Sequence, residues 1–163
     1  KIVLGVEMKA IITGANGYLG KLVSQEAINQ KFDETLVDSQ QSRAKYVGVY
    51  TSTTTDIFSN DETLYEQFSK PDLAIHFDWK DGVFHNSHAH MSYLSDHFVF
   101  LHNLVKQECK NISVTGTVHE VEYCEGAIDE NTPCNPLSYH RILKNALRQA
   151  LHLIGSNVNI NVY

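Results

Sequence analysis

The apolar positions of the chain fall into short runs that switch between two periods. Lys9-Ala10-Ile11-Ile12-Thr13 begins an apolar, β-branched run that breaks at three glycines, Gly14-x-x-Gly17-x-x-Gly20. Lys21 to Ile28 then has helical composition, so the stretch reads as strand, tight turn and a helix starting near Leu19. Glu34-Thr35-Leu36-Val37-Asp38 is a second strand-like run, and Tyr46 to Thr51 is expected to form a third. Asp61 to Phe68 reads as a short helix with Leu64 and Phe68 on one face. Pro71 to Phe77 turns into a fourth, buried strand. After a loop from Asp78 to about Ala89, a long helix is expected through Gln107, with Leu94, Phe98, Leu101 and Val105 as its buried stripe.

Asn111 to Thr117 is expected as the fifth strand, and Leu137 to Ile154 as a helix burying Leu143, Leu147, Leu151 and Ile154. Asn157 to Tyr163 alternates polar and apolar, the pattern of a sixth strand. Strands alternating with helices at this spacing predict an α/β fold, an open parallel sheet doubly wound.

Length and composition fit one ordinary globular domain of 163 residues, 42% hydrophobic and 20% charged. The first seven residues precede Met8 and read as a tag remnant or upstream extension, leaving residues 8–163 as the domain. A net charge of −6 gives no basic footprint for nucleic acid or an anionic membrane. No apolar run approaches the roughly 20 residues of a membrane span, and no signal peptide is recognised. Cys109, Cys124 and Cys134 lack metal spacing, so reduced thiols in the cytoplasm are expected, with no functional role.

The glycine turn carries the chemistry. Glycine is needed where φ is positive or where the backbone must lie against a ligand without a Cβ. The helix that follows points unpaired N–H groups and its positive dipole end at the turn, where a pyrophosphate fits. Asp38 closes the second strand 18 residues after Gly20. A carboxylate there can hold both ribose hydroxyls and repel a 2′-phosphate, or it can be a turn residue. Arg43 and Lys45 lie near enough to reverse that preference, so NAD is expected with NADP as the alternative.

Several separated motifs resemble one family, the extended short-chain dehydrogenases of the NAD-dependent epimerase/dehydratase group, over about Met8 to Tyr163. Thr13-Gly14-Ala15-Asn16-Gly17-Tyr18-Leu19-Gly20 is similar to that family's TGxxGxxG loop. Thr55-Asp56-Ile57 resembles the pair that receives the adenine ring. Ile75-His76-Phe77-Asp78-Trp79 sits where the family has a segment beside the cofactor, although Asp78 replaces a small residue there. Asn131-Thr132-Pro133 and Asn135-Pro136-Leu137-Ser138 resemble the loop into the catalytic helix. The resemblance implies NAD(P) as cofactor, a nucleotide sugar as substrate, and a hydroxyl, a tyrosine and a lysine as the catalytic set. Thr117 matches the hydroxyl and Lys144 the lysine, which also binds the nicotinamide ribose.

The tyrosine position, one helical turn before Lys144, is His140. Tyr139 is adjacent but turned about 100° around the helix. Three readings stay open. His140 takes over acid/base work, or the site keeps only nucleotide binding as a non-catalytic module, or Tyr139 reaches in through an altered helix start. Lys144 is expected to hold the His140 pKa below that of a free histidine.

His85, His88 and His90 fit no metal-ligand spacing and are expected to be solvated loop histidines. Members of the family usually continue for a hundred or more residues that build the sugar-nucleotide pocket, so a substrate-binding part is expected to be absent here. Its absence is expected to leave an apolar surface that another chain covers, as in a homodimer.

Overall fold

The computed structural model describes residues 8–38, 46–80, 82–121, 125–129, 131–155 and 158–163. The extension 1–7, Arg43, Lys45 and Cys124 lie outside the described residues. The elements run β1 (Lys9–Thr13), α1 (Tyr18–Asn29), β2 (Asp33–Val37), β3 (Thr51–Thr53), α2 (Leu64–Gln67) and β4 (Leu73–His76). They continue as α3 (His90–Lys106), β5 (Asn111–Val114), α4 (Tyr139–Ile154) and β6 (Asn159–Val162). All pairings are parallel, in the order β3-β2-β1-β4-β5-β6. The chain therefore reverses direction across the sheet between β1 and β4, where a crevice opens at the strands' carboxyl ends.

Burial on both faces explains why β1 reads as a continuous apolar run. Ile11 and Ile12 are both fully buried but on opposite faces. Ile11 joins Ala74, Leu101, Leu104, Ile112 and Leu147 beneath α3 and α4. Ile12 joins Ala27 and Leu36 beneath α1. Burying a side chain such as Leu147 contributes roughly 1.5–3 kcal/mol, so the α3/α4 layer supplies most of the apolar stabilisation.

Three expectations change. The third strand lies at Thr51–Thr53, not Tyr46 to Thr51. Gly48 takes φ +138, which breaks an extended run, and the Gln25 side chain bonds both the N–H and the C=O of Val47. The buried stripe of α3 is rotated: His97, Phe100, Leu101 and Leu104 are buried, while Leu94, Phe98 and Val105 are only partly so. The fifth strand ends at Val114, so Thr117 lies beyond it. On β6, Asn159 and Asn161 alternate with Ile160 and Val162, which pack against the α3/α4 core.

The rotation of α3 has a polar cause. His76 and His97 are core residues, at 1% and 0% exposure. Thr13 Oγ1 and His76 Nδ1 stand 2.7 Å apart, and His76 Nε2 and His97 Nδ1 2.8 Å apart. The facing Nε2 and Nδ1 can hold only one proton between them, so the two rings cannot both be imidazolium, and burial is the main reason that the His76 pKa falls to about 3 and that of His97 falls further.

This pair makes stability depend on pH. Unfolded histidines take up a proton near 6.5, whereas these two stay neutral well below it. Their contribution is complete above about pH 6.5 and is lost as pH falls, at about 1.4 kcal/mol per pH unit per histidine. Urea unfolding at neutral and mildly acidic pH should show this fall, and His97→Phe should reduce the slope by about one proton. Equal stability at both pH values contradicts a neutral buried pair.

Candidate functional site

The three glycines of the turn serve different purposes. Gly14 has φ +67, and a Cβ on it would lie 2.9 Å from the Asp78 nitrogen and 3.1 Å from the Phe77 carbonyl carbon. A Cβ on Gly20 would run into the Gly14 carbonyl oxygen, so a bare backbone there lets α1 sit on the turn. Gly17 is extended and forms the N-cap of α1, with its N–H donating to Gly14 O at 3.0 Å. The helix has neither a side-chain cap nor an acid in its first turn. Its positive end is therefore uncompensated and faces the crevice, which suits a diphosphate. Tyr18 and Leu19 open the helix largely exposed.

Asp38 follows β2 and reaches this turn. Its Oδ2 accepts the Asn16 N–H at 2.9 Å. Tyr46, expected in a strand, instead donates its hydroxyl to Ala15 O at 2.8 Å. Side chains from two later segments thus fix the loop. Asp56 spends its carboxylate on the Phe58 N–H at 3.0 Å, and Ile57 is buried in the core beneath α3. Phe77 packs half-buried beside Ile12 and Leu36. The Asp78 carboxyl is pushed up by burial and by Asp38, with Lys80 and Lys144 opposing.

Past β4, Trp79 links the sheet to α3 and α4. Its indole stacks on His97 with centroids 4.4 Å apart and planes 4° apart. Its Nε1–H donates to His90 Nδ1 at 3.3 Å, and His90 Nε2 lies 3.0 Å from Phe84 O. His90 is therefore fully buried and not the solvated loop residue expected, because both ring nitrogens find partners inside. His85 and His88 are exposed. No group of three metal-ligating side chains comes together among the described residues.

The start of α4 completes the site. Ser138 caps it, accepting the Arg141 N–H at 3.4 Å. The His140 ring stacks on His85 at 5.2 Å and stands perpendicular to Trp79 at 5.6 Å, while the backbone N–H of His140 donates to His85 O at 2.9 Å. Tyr139 instead meets the exposed His88. His140, not Tyr139, thus shares an indole neighbour with Lys144, whose Nζ sits 4.6 Å over the Trp79 ring. The His140 pKa falls to about 4, as expected in direction, though burial outweighs Lys144 as the cause. Lys144 is itself buried, which brings its pKa down to about 8 against the pull of Glu120 and Asp78.

The hydroxyl of Thr117 is engaged locally: it accepts the His119 N–H at 3.4 Å and caps a 3-10 turn, Val118–Glu120. Thr115, which sequence reasoning passed over, stands closer to the lysine, its carbonyl accepting from Lys144 Nζ at 2.7 Å. The structure thus gathers Gly14, Gly17, Gly20, Asn16 and Asp38 at one end of the crevice, and Trp79, His140, Lys144 and Thr115 toward the other. Cys109 is buried with its thiol pushed up to about 11 by burial, and so is poorly reactive.

Comparison with known proteins agrees with this geometry. The sequence matches the NAD dependent epimerase/dehydratase family over residues 10–163. It is 38% identical over 152 residues to the dTDP-6-deoxy-L-talose 4-dehydrogenase (NAD(+)) of Aggregatibacter actinomycetemcomitans, covering 88% of this chain and 54% of that protein. The UDP-Glc/GlcNAc 4-epimerase of Campylobacter jejuni has a similar fold, with TM-score 0.78 and 16% identity over 95% of this chain and 52% of its own. So does the Bordetella bronchiseptica enzyme WbmG in complex with NAD, with TM-score 0.75 and 18% identity over 99% and 54%. The chain spans about half the length of these proteins.

The turn geometry ranks its substitutions. Gly20→Ala drives a Cβ into backbone, whereas the Gly17 Cβ would meet only Gly14 O, at 3.1 Å. Gly20→Ala should cost about 3 kcal/mol and Gly17→Ala about 1 kcal/mol in urea unfolding. The reverse order contradicts the packing of α1 on the turn.

Proposed function

We propose, for a chain that belongs to the NAD-dependent epimerase/dehydratase family, that it binds NAD(H) and serves a nucleotide-sugar oxidoreductase or epimerase. The observation that carries the reading is the glycine turn at the β1/β4 switch point, with an uncapped helix end on one side and the Asp38 carboxylate on the other. The residues fit the group: bare backbone at Gly14 and Gly20 packs the turn against Phe77, Asp78 and the start of α1, which leaves amides of α1 for the pyrophosphate and Asp38 for the adenosine ribose. When bound, NAD accepts or returns a hydride at its nicotinamide. The 38% identical dehydrogenase supports a dTDP-6-deoxyhexose as the substrate class and the sugar 4-hydroxyl as the reacting group. The free thiols of Cys109 and Cys134 support a reducing, cytoplasmic setting.

The chain's own residues divide the remaining work. Neutral His140 accepts the proton of the sugar hydroxyl as it is oxidised, and returns one in the reverse direction. A cationic Lys144 holds the nicotinamide ribose. Thr117, whose Oγ1 accepts the His119 N–H and keeps its own proton to donate, supplies the hydroxyl that orients the sugar oxygen, whereas the Thr115 hydroxyl is turned to His76 O at 3.4 Å.

A second reading, a non-catalytic binding module, is favoured by one observation. Burial and neighbouring Lys144 hold the His140 pKa to about 4, so imidazolium is costly and the base is weak. Turnover separates the two. Oxidation of dTDP-hexoses by the native full-length polypeptide should be slow and limited at alkaline pH by loss of the Lys144 proton near 8. His140→Gln should lower the rate by about a hundredfold or more. NAD binding without turnover on any dTDP- or UDP-hexose, or a rate indifferent to His140→Gln, assigns the protein to the second reading.

A further inference from the structure

Lys144 is buried at 6% exposure, yet no carboxylate among the described residues pairs with it directly. Among the described residues its ammonium meets the Thr115 carbonyl at 2.7 Å and the Trp79 ring at 4.6 Å from the centroid. That indole also lies flat on the neutral His97 ring, and its N–H donates to His90 Nδ1. His97 is tied in turn to His76 on β4, and His76 to Thr13, the residue before the glycine turn. The indole is thus fixed by two buried imidazoles, one stacked on it and one bonded to its N–H, and its ring carries the cation.

We infer that Trp79 is a positioning residue for Lys144, holding its ammonium at the crevice by a cation–π contact in place of a salt bridge. The physical consequence concerns where the positive charge acts. A carboxylate partner would cancel the lysine's field and take its donors in a fixed pair. An aromatic face stabilises the cation by a weaker, non-neutralising attraction, and the carbonyl takes one proton, leaving ammonium donors and net charge for an anionic or hydroxylated ligand. Charged and titratable groups around the pair are Asp78 and Lys80 on the same loop, Glu120 after β5, His76 on β4, His90 and His97 on α3 and His140 on α4. The inference rests on the reading of Lys144 as the cation for the nicotinamide ribose.

Trp79 is the sole tryptophan, so its emission reports the contact without any cofactor. A cation on the ring shifts indole emission, and the surrounding histidines with depressed pKa values titrate far below neutrality. Followed from about pH 6.5 to about 9.5, the emission of the native chain should titrate once, with a midpoint near 8, the value to which burial lowers Lys144. The titration should vanish in Lys144→Met, with far-UV circular dichroism confirming that the variant keeps its helices. A second arm uses calorimetric binding of NAD at neutral pH. Trp79→Leu should weaken it about fivefold to tenfold, and should cause no further loss in the Lys144→Met background. A flat emission profile in the folded native chain overturns the contact. Additive losses in the two backgrounds overturn the positioning role, since they show Trp79 acting on the cofactor independently of Lys144. Failure of the native chain to bind NAD overturns the cofactor reading, and the emission titration then decides the contact by itself.

Discussion

The backbone of Gly14 lies against the backbone of Phe77 and Asp78, and the arrangement of the crevice follows from that approach. It is possible only because Gly14 takes a left-handed conformation and carries no side chain. With the turn held there, β1 ends level with β4, through Thr13 paired to His76, and α1 leaves from the crevice rather than from above it. Gly20 then allows the first turn of α1 to rest on the Gly14 carbonyl. Asp38 and Tyr46 bind the loop from its other side, so its amides are set before any ligand arrives. Preorganisation of this kind reduces the ordering cost of binding a dinucleotide.

What could be read from the sequence was what is local in it. The strand, glycine turn and helix from Lys9 to Ile28 are contiguous, and the one-turn spacing of His140 and Lys144 fixes their common side whatever the rest of the fold does. The α4 stripe of Leu143, Leu147 and Leu151 was equally plain, because polar residues separate it cleanly. The third strand was misplaced because Tyr46 to Tyr50 has strand composition but is held by hydrogen bonds to α1 and the turn, partners more than twenty residues away. The rotation of α3 was hidden for a similar reason. A histidine reads as polar until a second histidine 21 residues earlier gives one of its ring nitrogens a partner inside the core. Thr117 stood at the expected place in the chain, but the role of its hydroxyl as a cap depends on Glu120 and on where β5 ends.

Electrostatics separates the two ends of the crevice. At the nucleotide end, an uncompensated helix terminus meets the carboxylates Asp38 and Asp78, and a ligand must satisfy both signs: anionic toward the amides, hydrogen-bond donating toward Asp38. At the other end, burial keeps His140 neutral and makes the Lys144 cation titratable near physiological pH. Where a phenol beside a lysine is stabilised as phenolate, an imidazole beside a lysine is denied its charged form. The replacement at position 140 therefore changes the direction in which the lysine acts on its partner.

The central claim is that the glycine turn and Asp38 together form a dinucleotide site. Calorimetric titration of the native chain and of Asp38→Ser with NAD and with NADP tests it most directly. NAD should bind the native chain more tightly than NADP, and Asp38→Ser should weaken NAD and shift the ratio toward NADP, because the repulsion with the 2′-phosphate and the ribose contact are both removed. A native chain that binds neither, or a ratio that does not move on Asp38→Ser, contradicts the account.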